Sequence, residues 1–428
     1  MKFYSISSLF VLLCIFSFSG NAATYYSRIN GNWNTASTWS IVSCSGAASA
    51  TIPTSADNVI ICTGRTVTMN GIPGSCFSLT VNGTAKWISV AAITNVGIGG
   101  LVLNNGASLS GSVAGVLNVA GTCSVPVGSS ISIGGITISI LGTTYVSGTL
   151  VWNTTAGTKT FCDININTLG IWNNSVNEGI TLTGNLLNNG VFIAGTGTYT
   201  LAGIGKTISG LNPITIRKVV CTGDYINSAN LTTRRLSGIG GVFTQSSTGI
   251  LNYSGNNISV TTFNASTVGN TVIFIRAGAQ NIRVPSDGGY YNLSVTSSGL
   301  KTLLGSTILG NILSIAAGTT LNTNNFNLSV GGNFTNNGTF TSGTSTVTLN
   351  GTVAQTIGGT ASTAFYYLTI SNATAIVIGA TNFSVSNTFN IGAGAIFSPN
   401  ATVIVSGVGT LTGNGIARVT RIVATPDF

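Results

Sequence analysis

Short runs in which apolar and small polar residues alternate recur along almost the whole chain. Such alternation is typical of a β-strand with one buried face. The runs are mostly three to five residues long, and Gly, Asn and Ser separate them as markers of tight turns. They include residues 79–81, 101–103, 131–138, 164–166, 347–349, 368–370 and 403–405. No amphipathic stretch of helical period follows the N-terminus, so the pattern predicts an all-β protein.

The chain also repeats itself over longer distances. Residues 184–203 align without a gap with residues 332–351, an offset of 148, and both copies contain an Asn-Asn-Gly turn and a Thr-x-Thr-Leu run. Residues 280–295 match residues 355–370 at an offset of 75, about half of the first. Repetition at a fixed spacing is the signature of a repeat architecture. Because the strands are short, a unit of 75 residues must contain several turns of the chain.

Two β architectures use short alternating strands: separate sandwiches, with strands of about 5–6 residues joined by hairpins, and a solenoid. Here the strands are shorter, and successive apolar triplets are often about 20 residues apart, which suits one coil of a solenoid. Pro cannot donate to a ladder and contributes only 7 of 428 residues. We therefore predict a right-handed parallel β-helix, the hand following the general crossover preference. With strands about 4.8 Å apart, the rod would be on the order of 100 Å long.

Composition narrows the chemistry that the chain can perform. Charged residues make up 5% of it and His is absent, so a Ser-His-Asp triad and Cys-His chemistry are excluded. Polysaccharide hydrolysis needs two carboxylates about 5–9.5 Å apart, and no two acidic residues lie within ten positions of each other. Asp163 and Glu178, 15 positions apart, could approach across neighbouring coils as a catalytic dyad, or could serve turns and caps. We predict a non-enzymatic protein with no catalytic, cofactor-binding or metal-binding residues.

The net charge of +9 is spread thinly along the sequence. The only adjacent basic pairs are Arg217-Lys218 and Arg234-Arg235, whereas nucleic-acid-binding proteins cluster Lys and Arg on one face. We therefore expect a few solubilising charges on a nearly uncharged rod, and no nucleic-acid partner. Weak attraction to anionic glycans or to the cell envelope is the alternative.

Residues 1–23 have the features of a secretory signal peptide. Met1-Lys2 precedes an apolar run at 10–16, and small residues lead to a cleavage site near Ala22/Ala23. The apolar run is shorter than the about 20 residues that a membrane span needs, and no second run of that length exists. The sequence therefore predicts a protein that is secreted or held on the outer cell surface, with no transmembrane span.

Six cysteines follow the signal peptide, and export permits disulfides. Three of them, Cys44, Cys62 and Cys76, fall within the first coils. We expect one disulfide among these three to staple an N-terminal cap, and the spacing does not decide which pair forms it. The other three are predicted to be buried thiols that act as small core residues. They are Cys123, Cys162 and Cys221.

Four segments can be distinguished along the chain. They are the signal peptide (1–23), an N-terminal cap with the first coils (24–83), β-solenoid coils (84–208), and β-solenoid with the 75-residue unit (209–428). A solenoid end needs a cap to protect its core and ladder, and Trp33 and Trp39 suit that task. No atypical polar repeat precedes the last residue. We therefore expect a chain truncated at its C-terminus, or a rod closed by a neighbour.

Two further patterns suggest binding surfaces. Aromatic residues recur at one register of the 75-residue unit and could form an exposed platform for sugar rings, with core packing as the alternative. These residues are Tyr290, Tyr291, Phe365, Tyr366 and Tyr367. Thr-x-Thr runs, which can bind ice when they stack in successive coils, occur only sporadically and also fit the ordinary β-propensity of Thr. They begin at Thr66, Thr181, Thr198, Thr346 and Thr410.

Two stretches resemble a known group of proteins. The first contains Trp33, Trp39-Ser40, Ala56-Asp57-Asn58-Val59 and Cys76-x-x-Leu79-Thr80-Val81, and the second runs from Gly332-Asn-Phe to Phe365-Tyr-Tyr-Leu-Thr-Ile370. They are similar to large repetitive surface proteins that bacteria export by type IX secretion, and the first is loosely similar to the G8 domain. The resemblance implies a cell-surface or secreted β-solenoid, often adhesive. Such proteins usually end in a C-terminal sorting domain, which this sequence does not show.

These observations favour an exported, non-enzymatic β-solenoid that serves as a structural stalk or adhesin on the bacterial cell surface. Its expected partners are cell-surface glycans, other surface proteins and a missing C-terminal region of the same polypeptide; no cofactor is expected. The alternatives are a carbohydrate-binding or polysaccharide-degrading β-helix and an ice-binding Thr-ladder solenoid.

Overall fold

The computed structural model describes residues 22–71, 73–88, 92–111 and 114–418. This part of the chain forms a parallel β-solenoid of about 17 turns, with one 3-10 turn at Ala36–Thr38. The predicted all-β class, the parallel β-helix and the disulfide near the N-terminus are confirmed. Residues 1–21 of the predicted signal peptide and residues 419–428 lie outside the described part. Within the described part, no helix is long and apolar enough to cross a membrane.

The strands are short and follow one another closely. The first group is β1 Thr24–Ser27, β2 Gly31–Asn32, β3 Trp39–Ser40, β4 Asn58–Ile61, β5 Thr66–Met69, β6 Gly74–Val81, β7 Thr84–Trp87, β8 Ile93–Leu103, β9 Ser108–Gly111, β10 Val116–Val119, β11 Cys123–Val125, β12 Ser130–Ile133, β13 Thr137–Ile140, β14 Thr144–Val146, β15 Thr149–Trp152, β16 Lys159–Phe161 and β17 Ile164–Ile166. The second is β18 Ile171–Asn173, β19 Ile180–Leu182, β20 Leu186–Asn188, β21 Val191–Ile193, β22 Thr198–Leu201, β23 Lys206–Ser209, β24 Ile214–Thr215, β25 Lys218–Cys221, β26 Asp224–Asn227, β27 Asn230–Thr233, β28 Arg235–Gln245, β29 Ile250–Tyr253, β30 Ser259–Asn264, β31 Thr271–Phe274, β32 Gln280–Ile282, β33 Gly289–Tyr290 and β34 Asn292–Val295. The third is β35 Gly299–Leu303, β36 Thr307–Leu309, β37 Leu313–Ile315, β38 Thr319–Asn322, β39 Leu328–Val330, β40 Phe334–Asn336, β41 Thr339–Thr341, β42 Thr346–Leu349, β43 Gln355–Gly358, β44 Thr363–Ile370, β45 Ile376–Gly379, β46 Phe383–Ile391, β47 Ile396–Pro399, β48 Val405–Ser406, β49 Thr410–Thr412 and β50 Ile416–Ala417.

Three strands, one on each of three faces, make one turn of the solenoid. The first face contains β10, β13 and β16, the second β11, β14 and β17, and the third β12, β15 and β18. The long strands β6, β8, β28, β30, β44 and β46 bend from the first face onto the second. Nearly all pairings are parallel, so each face is a ladder that runs along the rod.

The core is a set of stacked side chains between the three faces. Because strand side chains alternate, every second residue points inward, which gives the buried–half-buried alternation of most strands. One stack on the first face consists of Val96, Val119, Ile140, Phe161, Leu182, Leu201 and Cys221, each in register with the next. Burying an aliphatic or aromatic side chain of this size contributes about 1.5–3 kcal/mol.

The 75-residue repeat does not correspond to a whole number of turns. Gln280 begins β32 on the first face, and its repeat partner Gln355 begins β43, eleven strands later and on the third face. With three strands per turn, the repeat spans three and two-thirds turns. Matching residues therefore lie on different faces of the rod and are not in line with each other.

Local contacts nevertheless repeat at this spacing. The Nε2 atom of Gln280 donates to two backbone carbonyls of an earlier turn at 2.9 and 2.8 Å, and that of Gln355 does the same at 2.8 and 2.7 Å. Each Oε1 atom accepts from the amide four residues earlier, Arg276 and Gly351. The repeat thus preserves a corner and the side chain that stabilises it, and this corner occurs both before the first face and before the third.

The N-terminal end of the rod is closed by the chain itself. Strand β1 pairs in parallel with β4 on one side and antiparallel with β3 on the other, so β3 covers the edge that β1 would expose. Trp39 of β3 and Trp33 are both buried, with ring centroids 5.2 Å apart, and the indole N–H of Trp39 donates to the Trp33 carbonyl. The Cys44–Cys62 disulfide ties the loop after β3 to the end of β4.

Candidate ligand-binding site

The cysteines have structural environments. Cys44 and Cys62 form the disulfide, so the expected single bond among the first three cysteines is present and Cys76 is free. Cys76, Cys123 and Cys221 are buried, and burial raises the pKa of each thiol to about 12. Cys162 is also free but only half-buried, which differs from the predicted burial because it lies at a corner rather than within a strand.

Asp163 and Glu178, the candidate catalytic dyad, lie at different corners. Asp163 lies between the first and second faces and accepts from the backbone and side-chain amides of Asn185 at 2.6 and 2.9 Å. Glu178 lies between the third and first faces, is 6% exposed, and forms an ion pair with buried Lys159 at 3.6 Å. Both carboxylates therefore stabilise turns, and the solenoid does not bring them together as a dyad.

Other acidic side chains also accept hydrogen bonds from backbone amides. Asp57 accepts from the amides of Ala23 and Thr54 in the N-terminal cap, and Asp287 accepts from the amide of Ser266. In the described residues, no group of three or more Cys, Asp or Glu side chains lies close enough together to hold a metal ion.

The aromatic residues of the repeat do not form one platform. Tyr290 and Phe365 are each 1% exposed and belong to the core, so their assignment to an exposed platform is wrong. Tyr291, Tyr366 and Tyr367 are half-buried. Tyr291 lies at the corner between the second and third faces, whereas the other two lie where β44 bends from the first face to the second. The fractional repeat therefore rotates the matching aromatics onto different corners.

The Thr-x-Thr runs are also distributed over all three faces. Those at Thr181 and Thr198 are on the first face, those at Thr346 and Thr410 on the second, and that at Thr66 on the third. The runs at Thr181 and Thr198 lie on neighbouring turns but are offset by two residues, because Thr181 is opposite Thr200. An ice-binding ladder needs the motif at one register in successive turns, which these runs do not provide.

Two basic pairs that are 17 residues apart in sequence stack on neighbouring turns. Lys218 is the register partner of Arg235 in the parallel ladder of β25 and β28. The backbone amides of Arg234 and Arg235 both donate to the carbonyl of Arg217, at 3.2 and 3.0 Å. The expectation that positive charge is thinly spread is therefore wrong here, because one turn of the solenoid brings the pairs together. Their spacing, close to one coil, was the signal available in the sequence.

Arg276, two turns further on, completes a basic cluster at the corner between the third and first faces. Arg217, Lys218, Arg234, Arg235 and Arg276 line a surface pocket of about 480 Å³, hereafter the basic pocket. Asn256, Asn257 and Ser259 line it as well, and no acidic side chain does. The pocket thus gathers five of the 15 Lys and Arg residues of the chain.

A second pocket of about 370 Å³, hereafter the hydroxyl pocket, adjoins the first and shares Arg217 and Arg234 with it. Its other lining residues are mostly hydroxyl-bearing: Thr196, Thr215, Thr232, Thr233 and Ser254. The two pockets together form one surface with positive charge at its centre and neutral hydrogen-bonding groups around it.

Buried side chains fix the backbone beneath the basic pocket. Gln280 bonds the carbonyls of Tyr253 and Gly255, and the Tyr253 hydroxyl donates to the carbonyl of Asn257. Lys301 is fully buried, and its ammonium donates to the carbonyls of Arg276, Gly278 and Ser298. The corner that carries the basic side chains is therefore held in place from inside.

The electrostatic environment of the basic pocket is positive. Burial raises the pKa of Tyr253 to about 12, although the charges of Arg276 and Arg235 act in the opposite direction. Burial lowers the pKa of Lys301, and the nearby Arg276 lowers it further. Among the described residues, the one ion pair is Lys159–Glu178, so none of the five pocket cations has a carboxylate partner there.

The side chains of the pocket are available to a ligand. Arg217, Lys218, Arg234 and Arg235 are exposed and Arg276 is half-buried. Within the described part of the chain, the one side-chain hydrogen bond from these five is that of Arg235 Nε to Ser237 Oγ, at 3.1 Å. The pocket therefore presents guanidinium and ammonium donors that can bind an anion.

Comparison of the chain with models of protein families, with curated proteins and with solved structures gave no match.

Proposed function

We propose that the chain is an exported, non-enzymatic β-solenoid that serves as a structural stalk or adhesin on the bacterial cell surface. The observation that carries the proposal is the uninterrupted three-faced ladder of about 17 turns, closed at its N-terminal end by β3 and the disulfide. With strands about 4.8 Å apart, such a rod is about 80 Å long.

The acidic side chains stabilise the backbone of the rod, which supports a mechanical role. The carboxylates of Asp57, Asp163, Glu178 and Asp287 bond to backbone or to a buried lysine. Strand pairs and stacked core residues connect each turn to the next, so a load applied along the rod is shared by three ladders at every turn. Charged residues make up only 5% of the chain, which leaves broad neutral faces.

Export and surface display can be tested in a bacterium that has type IX secretion. The full chain with an internal epitope would be compared with a variant that lacks residues 2–23. We expect the full chain to begin at Ala23 or Thr24 after processing and the epitope to leave the cytoplasm. When a type IX sorting domain is fused to the C-terminus, intact cells or the medium should carry the epitope. The variant should remain inside the cell. Retention of the full chain inside cells, with an unprocessed N-terminus, would contradict export.

The non-enzymatic part of the proposal has its own test. The purified chain would be incubated with neutral and acidic polysaccharides, and the release of reducing ends would be measured beside an Asp163→Asn/Glu178→Gln variant. We expect no release by either protein. Release of reducing ends by the wild-type chain would contradict the proposal.

A further inference from the structure

We propose that the basic pocket and the adjoining hydroxyl pocket together bind an acidic polysaccharide through its carboxylate or sulfate groups. The proposal goes beyond the stalk function and does not depend on export, because the site is complete in the chain itself. It rests on the arrangement of charge, the spacing of the cations, the surrounding polar groups and the rigidity of the corner.

The charge of the site calls for an anionic ligand. Five cations lie around one pocket that no acidic side chain lines. The nearest acidic residue at this corner, Glu178, is buried against Lys159 two turns before Arg217. A guanidinium group binds a carboxylate or sulfate through two parallel hydrogen bonds, and such charge-assisted bonds are about twice as strong as neutral ones.

The spacing of the cations suits a linear polymer. Arg217, Arg234 and Arg276 lie at the same corner in a run of four successive turns, with Asn256 and Asn257 on the turn between the last two. Strands about 4.8 Å apart place the first and last of these turns about 14 Å from each other. A single small anion would engage only part of this row, whereas a chain with repeated negative charges would engage all of it.

The groups around the cations favour a saccharide over a nucleic acid. The hydroxyl pocket offers Thr215 and Thr232, and the basic pocket offers the Asn256 and Asn257 amides, all of which can bond sugar hydroxyls. Proteins that bind single-stranded nucleic acids combine a positively charged groove with exposed aromatic side chains on which the bases stack. The one aromatic residue lining either pocket is Tyr253, which is 1% exposed and has its hydroxyl bonded to the Asn257 carbonyl.

The rigidity of the corner lowers the cost of binding. Six backbone carbonyls at or beneath the pocket accept hydrogen bonds from buried side chains, namely Gln280, Lys301 and the Tyr253 hydroxyl. A ligand therefore has to order only the basic side chains, and less of its interaction energy is lost to fixing the backbone.

Binding of the purified chain can be measured at about 0.15 M salt, where exposed charges are screened beyond about 8 Å. The probes are heparin, which is sulfated, polygalacturonate, which is carboxylated, and dextran, which is neutral. Inorganic phosphate and a short DNA duplex serve as competing anions. The test variant is Arg234→Gln/Arg276→Gln, and the control is Lys86→Gln/Lys206→Gln, which removes the same charge away from the pocket. Circular dichroism confirms that each variant is folded.

We expect heparin, polygalacturonate or both to bind, and dextran not to bind. The Arg234→Gln/Arg276→Gln variant should bind at least tenfold more weakly, because it loses two guanidinium groups that form charge-assisted hydrogen bonds with the ligand. The control should bind within about twofold of wild type. Binding of one acidic polymer alone would identify the preferred group. Equal loss in the control, tighter binding of the duplex or of phosphate, or no binding of either acidic polymer would overturn the proposal.

Discussion

At the scale of single residues, the solenoid places charged side chains inside its core and satisfies them with backbone. Lys159 lies in register between Ile138 and Ile180, both apolar, yet its ammonium reaches the Ala156 carbonyl at 2.5 Å and the Glu178 carboxylate at 3.6 Å. Burial lowers the pKa of Lys159, and Glu178 opposes that shift. The pair therefore joins two neighbouring turns at a point where the chain leaves the third face.

Replacing Glu178 by Gln should destabilise the protein by about 3–5 kcal/mol, because it leaves a buried ammonium without its counter-charge. The backbone amide of Ala156 donates a hydrogen bond to the Glu178 carboxylate at 3.0 Å, and a Gln side chain can still accept it. The variant therefore loses the negative charge and keeps the hydrogen bond. The measurement is urea unfolding. The matched control is Lys159→Met/Glu178→Gln, which should be more stable than Glu178→Gln alone. A double variant less stable than the single one would show that the charge pair is not the cause.

The thiols should react in an order set by their burial. Cys76, Cys123 and Cys221 have pKa values raised to about 12 by burial, so at neutral pH almost no thiolate is present and reagents cannot reach it. Half-buried Cys162 should be alkylated first in the native protein.

Peptide mapping after timed alkylation without reductant would measure that order. Cys44 and Cys62 should stay unlabelled both before and after denaturation, because they are bonded to each other. Rapid native labelling of Cys123, which is 0% exposed, would contradict its place in the core.

At the scale of strands and corners, the buried Gln side chains act as clamps between turns. Gln280 and Gln355 each connect two carbonyls of an earlier turn to an amide of their own corner. Gln245 is equally buried, but in the described part of the chain its Nε2 atom has no hydrogen-bond partner. The three residues therefore provide a matched set for measuring what the clamp contributes.

Gln280→Leu and Gln355→Leu should each lower the free energy of unfolding by several kcal/mol, at about 1–3 kcal/mol for every buried backbone group left unpaired. Gln245→Leu should cost much less. Because the first two sites are more than about 10 Å apart, their effects should add in the double variant. Denaturant titration of all four variants would test this, and an equal cost at Gln245 would show that lost packing, not the clamp, is responsible.

Sequence patterns predict the strands well and their arrangement less well. The alternation in runs such as 131–138 is a local property, so it identifies inward-facing residues without knowledge of the fold. It does not tell which face a strand joins, so the fractional repeat and the separation of Tyr291 from Tyr366 became visible only in the structure. The basic pocket was missed for a related reason. Its two basic pairs are 17 residues apart, close to one coil, but this spacing alone does not tell that both pairs lie at the same corner, and Arg276 has no basic neighbour in sequence.

At the scale of the whole molecule, the rod behaves as a stack in which each turn contacts mainly its neighbours. The 75-residue repeat implies that the three faces can exchange roles, since it moves Gln280 on the first face to Gln355 on the third with the same contacts. A rod built in this way should tolerate loss of one repeat, although three and two-thirds turns are removed and every later strand moves to another face.

Deletion of residues 280–354 should therefore give a folded, shorter protein. It joins Ala279 to Gln355, whose side chain then takes the place of Gln280 and can accept from the Arg276 amide four residues earlier. The rod should shorten by about 18 Å, from strands about 4.8 Å apart, as measured by small-angle X-ray scattering. The control, deletion of residues 280–353, differs by one residue and exchanges inward and outward positions in the strand it joins, so it should aggregate. If both deletions fold, alternation does not fix the register; if neither folds, the three faces are not interchangeable.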